Sequence, residues 1–174
     1  MKIKSFEPIA NKNAKVLILG TMPGGESLSQ KEYYADPSNH FWDIMFRILN
    51  EDYDFFRLAQ VSVTYASKRQ LLINNRIALW DTIKECERKG NLDRDIKDEI
   101  INDFETFLQE HKAITSIFFN GKGARNYFDR SVSQIVNKRE INLVTLNSTS
   151  SSNRNNTFRI LGEWKSKILE ELRK

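Results

Sequence analysis

The chain has 174 residues, 40% of them apolar and 29% charged, which is enough for one domain with a sizeable core. A net charge of +4 and a pI near 9.1 permit a polyanionic partner without demanding one. A single cysteine excludes an internal disulfide and a multi-cysteine metal site, and only two histidines argue against structural zinc.

The N-terminal stretch MKIKSFEPIA lacks a signal-peptide core, and no run approaches the roughly 20 apolar residues of a membrane span. The expectation is a soluble protein of the reducing cytoplasm. VLIL at 16–19 reads as a buried strand that empties into the Gly/Pro loop GTMPGGES at 20–27. The segment YYADPSNHFW at 33–42 follows, and its end opens a compact apolar helix over residues 41–49. A weaker helical pattern covers 67–76. IALW at 77–80 reads as a second strand ending at Asp81. Ile96, Ile100, Ile101, Phe104, Phe107 and Leu108 fall on one helical face, which predicts a helix there. Residues 114–119 read as a third strand, 121–128 as a short helix and 141–146 as a fourth strand. The polar stretch NSTSSSNRNNT at 147–157 is the main loop. Leu161, Trp164, Ile168 and Leu172 then stripe a C-terminal helix.

Strands alternating with helices imply parallel crossovers and a three-layer α/β/α sandwich around a central, mainly parallel four-stranded sheet. Ligands of such sheets lie at the carboxyl ends of strands. Residues 20–27, the chain from Asp81 onward and residues 147–153 are therefore the pocket candidates.

The first loop has neither GxxxxGK[ST], since Glu26 follows Gly25, nor GxGxxG, so ATP hydrolysis and dinucleotide binding are disfavoured. Gly24 and Gly25 can still present backbone N–H groups on a turn stiffened by Pro23; a plain strand-to-helix connection would look the same. Asn39 can orient water or read a base edge, and it can equally cap the helix at Phe41. Trp42 reads as core. Asp81 can accept from a ring N–H or cap the next segment. Ser148, Thr149, Ser150, Ser151 and Ser152 offer hydroxyls to phosphate oxygens, with charge added by Arg154; such a stretch is also an ordinary loop. No His/Asp arrangement supports a serine or cysteine nucleophile, and Cys86 reads as structural.

Taken together, GTMPGGESL at 20–28, YYADPSNHFW at 33–42, IALWDTIKECERKGNLD at 77–93, IFFNGKGA at 117–124 and LNSTSSSN at 146–153 resemble the uracil-DNA glycosylase superfamily. The resemblance is nearest to its hypoxanthine-DNA glycosylase branch. It implies one domain of this type over 1–174, with a pocket for one extruded base lined by Gly20, Thr21, Met22, Pro23 and Gly24. Met22 stands where related enzymes often carry Asp or Asn, and Asn39 inherits the catalytic assignment. Phe41 maps to the base-stacking position, Asp81 to a base-reading one, and Ser148, Thr149, Ser150, Ser151 and Arg154 to a DNA-clamping loop. The implied activity is monofunctional hydrolysis of the N-glycosidic bond of hypoxanthine or uracil in DNA, without metal or organic cofactor, by a monomer. Asn147 and Ser151 stand where that branch carries prolines, so the last loop is expected to be more flexible before DNA binds. A noncatalytic nucleic-acid binder of the same fold, or a nucleobase- or nucleotide-binding protein, remains an alternative reading.

Overall fold

The computed structural model describes residues 2–50, 63–137, 139–153 and 157–174, with the side chains of 132–137 and 157 left aside. Its centre is a parallel sheet of β2 (Val16–Gly20), β3 (Ile77–Asp81), β6 (Ser116–Asn120) and β7 (Asn142–Leu146), in the order β3-β2-β6-β7. Every residue of β2, β3 and β6 is buried, as expected for strands covered on both faces. From β2 the chain passes to β3 on one side and later returns to β6 on the other, so a crevice opens outside the carboxyl end of β2.

Among the described residues six α-helices pack around this sheet, in keeping with the α/β/α architecture read from the sequence. They are α1 (Gly25–Gln30), α2 (Phe41–Leu49), α3 (Tyr65–Asn74), α4 (Phe104–Glu110), α5 (Lys122–Asn137) and α6 (Thr157–Arg173). Aromatic contacts tie the helices to one another and to the sheet. Phe41 of α2 meets Trp164 of α6 edge-on at 6.0 Å; Phe104 of α4 meets Phe128 of α5 at 5.1 Å, and Phe128 meets Phe119 of β6 at 5.0 Å. Helix α5 runs well beyond the short 121–128 helix expected, and α3 begins at Thr64, whose side chain accepts from the Ser67 N–H as an N-cap.

The helix expected from the Ile96–Leu108 stripe is a correction. Residues Ile96–Ile101 form β5, which pairs antiparallel with β4 (Ile83–Arg88); β4 pairs in turn with β1 (Lys2–Lys4). Only Phe104–Glu110 is helical, capped by Asp103, whose carboxylate accepts from the Thr106 N–H. Isoleucines at 96, 100 and 101 suit a strand as well as a helical face, and pairing with β4 decided between them. The second, three-stranded sheet grows directly out of the first. Thr82 N–H donates to the Gly20 carbonyl and Ile83 N–H to that of Thr21, so the β3–β4 chain escorts the first loop past the sheet end.

Candidate base-binding site

All four parallel strands contribute their carboxyl ends to one cavity of about 470 Å³. Gly20 ends β2, Asp81 ends β3, Asn120 ends β6, and Ser148 follows β7. Parallel register sets Gly20 directly beside Asp81. The approach is so close that a Cβ on Gly20 would lie 2.5 Å from Asp81 Oδ1 and 2.9 Å from the Tyr34 hydroxyl. Gly20→Ala is therefore expected to push both groups out of place, with an overpacking cost of about 1–3 kcal/mol and loss of base release. A thermal melt and a base-release assay on the same preparation check this.

Asp81 is only 3% exposed, and the Ser5 hydroxyl donates to its Oδ2 at 2.6 Å. Desolvation pushes its carboxyl up to about 7; the Ser5 bond and Arg88 oppose that rise and Asp93 adds to it. Asp93 is exposed as a residue, but loss of water around its carboxyl, which accepts from Thr21 Oγ1 at 2.8 Å, moves it upward as well.

Asn39 lies 110 residues from Thr149 in sequence, yet Thr149 Oγ1 donates to Asn39 Oδ1 at 2.9 Å. The Phe41 N–H donates to the same oxygen at 3.0 Å. A backbone N–H can only donate, so this contact fixes which end of the amide is oxygen. The Nδ2 amino group is left to face the cavity that Asn39 lines. Asn39 thus both accepts from the first N–H of α2 and lines the cavity, while the formal N-cap residue is His40.

Thr149 is fully buried and sits at the centre of a clamp. Asn120 Nδ2 donates to the Thr149 hydroxyl and to the Tyr34 hydroxyl, each at 2.9 Å, while Asn120 Oδ1 accepts from the Thr149 N–H. His40 N–H donates to the Thr149 carbonyl. Thr149 therefore welds the last loop to the Asn39 segment and has no surface to offer a phosphate, which corrects the expected DNA contact. Ser148, Ser150 and Ser151 do line the mouth of the cavity. Arg154 lies outside the described residues.

Two further expectations change. Phe41 is fully buried and absent from the cavity wall; its ring stacks on Tyr34 at 4.1 Å and 19°, and Tyr34 in turn lines the cavity. Gly25 N–H donates to Asn91 Oδ1 at 2.8 Å, which removes one of the two glycine N–H groups the first loop was expected to present. Gly20, Thr21, Met22, Pro23 and Gly24 all line the cavity as expected. Tyr34, Asn120 and Asp93 were not singled out from the sequence, although all three lie inside the segments YYADPSNHFW, IFFNGKGA and IALWDTIKECERKGNLD.

The loop expected to be loose is cross-linked instead. Where a proline was expected, Asn147 donates from N–H and Nδ2 to Glu163 Oε2 at 3.1 and 2.7 Å, and its carbonyl accepts from Trp164 Nε1. Asn153 Nδ2 donates to the Ser148 carbonyl, and Ser38 Oγ reaches Ser151 Oγ at 3.1 Å. Hydrogen bonds to α6 thus do what a fixed proline φ would have done. Glu163→Ala should cost about 1–3 kcal/mol by removing the acceptor that the Asn147 N–H and Nδ2 share. A lowered melting temperature, with DNA affinity falling in step, is the expected readout.

An α/β sheet whose strand ends, together with the Asn39 amide, line one cavity of about 470 Å³ has the layout of a protein that takes a small ligand at the carboxyl ends of its strands. The family model described as the uracil DNA glycosylase superfamily matches residues 7–173, and the chain belongs to that superfamily. A hypoxanthine DNA glycosylase of Methanosarcina barkeri is 36% identical over 127 residues, covering 73% of this chain and 76% of that protein. One of Methanosarcina acetivorans is 34% identical over 124 residues, covering 71% and 74%. A solution structure of a candidate uracil DNA glycosylase from Methanosarcina acetivorans superposes with a TM-score of 0.80 at 30% identity, covering 98% of this chain and 99% of that one. Among the described residues no helix is long and apolar enough to cross a membrane.

Proposed function

We propose that this cavity takes one deaminated base extruded from DNA, hypoxanthine foremost, and hydrolyses its N-glycosidic bond to leave an abasic site. The observation that carries the reading is the meeting of Asp81 with Tyr34 and Asn39 around one cavity, from two separate segments of the chain.

A base within a duplex hides its glycosidic bond, so the nucleotide must swing out, at a cost of a few kcal/mol in unstacking and unpairing. Deaminated or mispaired bases cost less. The extruded ring stacks on Tyr34, which Phe41 backs from its other face at 4.1 Å, so the platform is rigid. Asp81 Oδ1, with Oδ2 held by Ser5, accepts the N1–H of hypoxanthine, a donor that adenine lacks. Bond cleavage leaves positive charge on the sugar and negative charge on the base. Asn39 Nδ2 holds a water by its oxygen near the anomeric carbon. A neutral amide is a poor proton acceptor, so its contribution is position rather than proton removal.

The test uses duplex oligonucleotides carrying one hypoxanthine, uracil or xanthine, followed by alkaline cleavage of abasic sites. Scission at hypoxanthine is expected to be fastest. Binding to each duplex without scission on any would favour a noncatalytic nucleic-acid binder. Neither binding nor scission, with a thermal shift on adding free nucleobases, would favour a nucleobase-binding protein.

A further inference from the structure

The cavity wall carries a charge that hypoxanthine, a neutral base, does not use. Glu26, Asp36, Asp81 and Asp93 line it, and among the described residues no Lys, Arg or His does. Two of these carboxylates are held in fixed places. Asp81 is buried, and Ser5 takes its Oδ2, which leaves Oδ1 as an unpartnered acceptor at the cavity. Asp93 accepts from the Thr21 hydroxyl at 2.8 Å and abuts the start of α5, where a Cβ on Gly123 would collide with its Oδ2. Desolvation raises both carboxyls, the mark of negative groups without a full counter-charge. Arg88, the cation that opposes both rises, is buried behind the first loop, where it donates to the Pro23 carbonyl, and it stays out of the wall. Beside the carboxylates stands Tyr34, backed by Phe41 and held at its hydroxyl by Asn120 Nδ2 at 2.9 Å. A fixed aromatic face flanked by desolvated carboxylates attracts a flat cation, through the ring quadrupole and through charge.

Hypoxanthine uses this wall poorly, since it departs with a negative charge that Asp93 opposes. A purine alkylated on N7 enters as a cation, and 7-methylguanine keeps an N1–H for Asp81 Oδ1. We propose that the cavity also takes purines made cationic by N-alkylation, with 7-methylguanine as their simplest member, and releases them by hydrolysis. The C1′–N9 bonding pair moves to N9 and cancels the ring charge. Water adds its oxygen to C1′ and gives up a proton to solvent. Positive charge thus passes from base to sugar, and no new anion forms beside the carboxylates. The proposal rests on the glycosylase reading and widens its substrate class.

The test has a chemical arm and a binding arm. Duplexes carrying one 7-methylguanine, hypoxanthine or guanine are incubated with the protein, and abasic sites are counted against a protein-free control. Wild type should release 7-methylguanine at least about tenfold faster than it is lost spontaneously, and leave guanine in place. The binding arm compares 2′-fluoro-7-methylguanine, whose glycosidic bond is stabilised, with 7-deaza-7-methylguanine, which has the same shape without the charge. The cationic duplex should bind about tenfold tighter. Asp93→Asn, which keeps an acceptor for Thr21, should erase most of that preference while changing affinity for the neutral duplex less than about twofold; a melting curve confirms its fold. Equal affinity of wild type for the two duplexes, or loss of 7-methylguanine at the protein-free rate, would overturn the proposal. Release of hypoxanthine without 7-methylguanine removes only the wider substrate class. Failure to release hypoxanthine as well would sink the glycosylase reading itself.

Discussion

Asn39→Ala is expected to slow base release by about 100-fold, the scale of loss that follows when a reacting group is misplaced by an ångström or so. In the folded protein the Asn39 oxygen is committed to the Phe41 N–H and the Thr149 hydroxyl, so only the amino group is left for a water. Alanine removes that donor. Asn39→Asp separates two accounts of the loss. If the side chain only positions water, a carboxylate oxygen in the place of Nδ2 holds the water through one of its protons and recovers part of the rate; if the amide N–H itself is required, Asn39→Asp stays as slow as Asn39→Ala. Single-turnover kinetics on a hypoxanthine duplex, with a melting curve on each variant, measure both. A full rate in Asn39→Ala would remove this residue from the chemistry.

Asp81 should write its own titration into the pH profile. Its carboxyl is raised to about 7, chiefly by burial, and the ionised form is the stronger acceptor for the N1–H of hypoxanthine, while the protonated form keeps a weaker acceptor and adds a donor. Release should therefore climb as pH rises through about 7 and level off above it. Asp81→Asn should abolish that inflection and cost about 10- to 100-fold on hypoxanthine, the equivalent of one charge-assisted hydrogen bond. Because the amide also donates, preference among hypoxanthine, uracil and xanthine should change as well. Stability moves the opposite way. A carboxyl raised above its ordinary value of 3.8 keeps its proton in the native state while the unfolded chain has already lost it. The stabilising contribution is complete below about pH 4 and is lost as pH rises through about 7. Asp81→Asn should accordingly melt higher than wild type at pH 8 and gain nothing at pH 4. An unaltered pH–rate profile together with unchanged relative rates for the three bases would exclude Asp81 from base reading.

The fate of the last loop illustrates how sequence and structure divide the work. Asn147 and Ser151 in place of prolines predicted a freer loop, which is sound for an isolated segment. Whether Asn147 would find Glu163 and Trp164 depends on where α6 docks, and no local pattern in residues 146–153 encodes that. The Ile96–Leu108 stripe failed for a related reason. Its isoleucines satisfy the helical period by coincidence, and the edge of β4 claimed them as a strand partner. The family resemblance maps Phe41 to the stacking position. Helical geometry turned it into the core, and Tyr34, seven residues earlier, took the position at the cavity.

The sequence by itself determined the central sheet, since uninterrupted apolar runs such as VLIL and IALW can only be buried on both faces, and the glycine and polar residues that end them mark the pocket rim. It also determined Asn39 and Asp81 as the groups to watch. Only the tertiary structure decided what each does. It buried Asp81 beside Gly20 and thereby raised its carboxyl, committed the Asn39 oxygen through Thr149, and folded the β4–β5 hairpin over the mouth. Desolvation and hydrogen bonding between residues 66 to 110 positions apart depend on three-dimensional neighbours, and those neighbours exist only once the helices have packed.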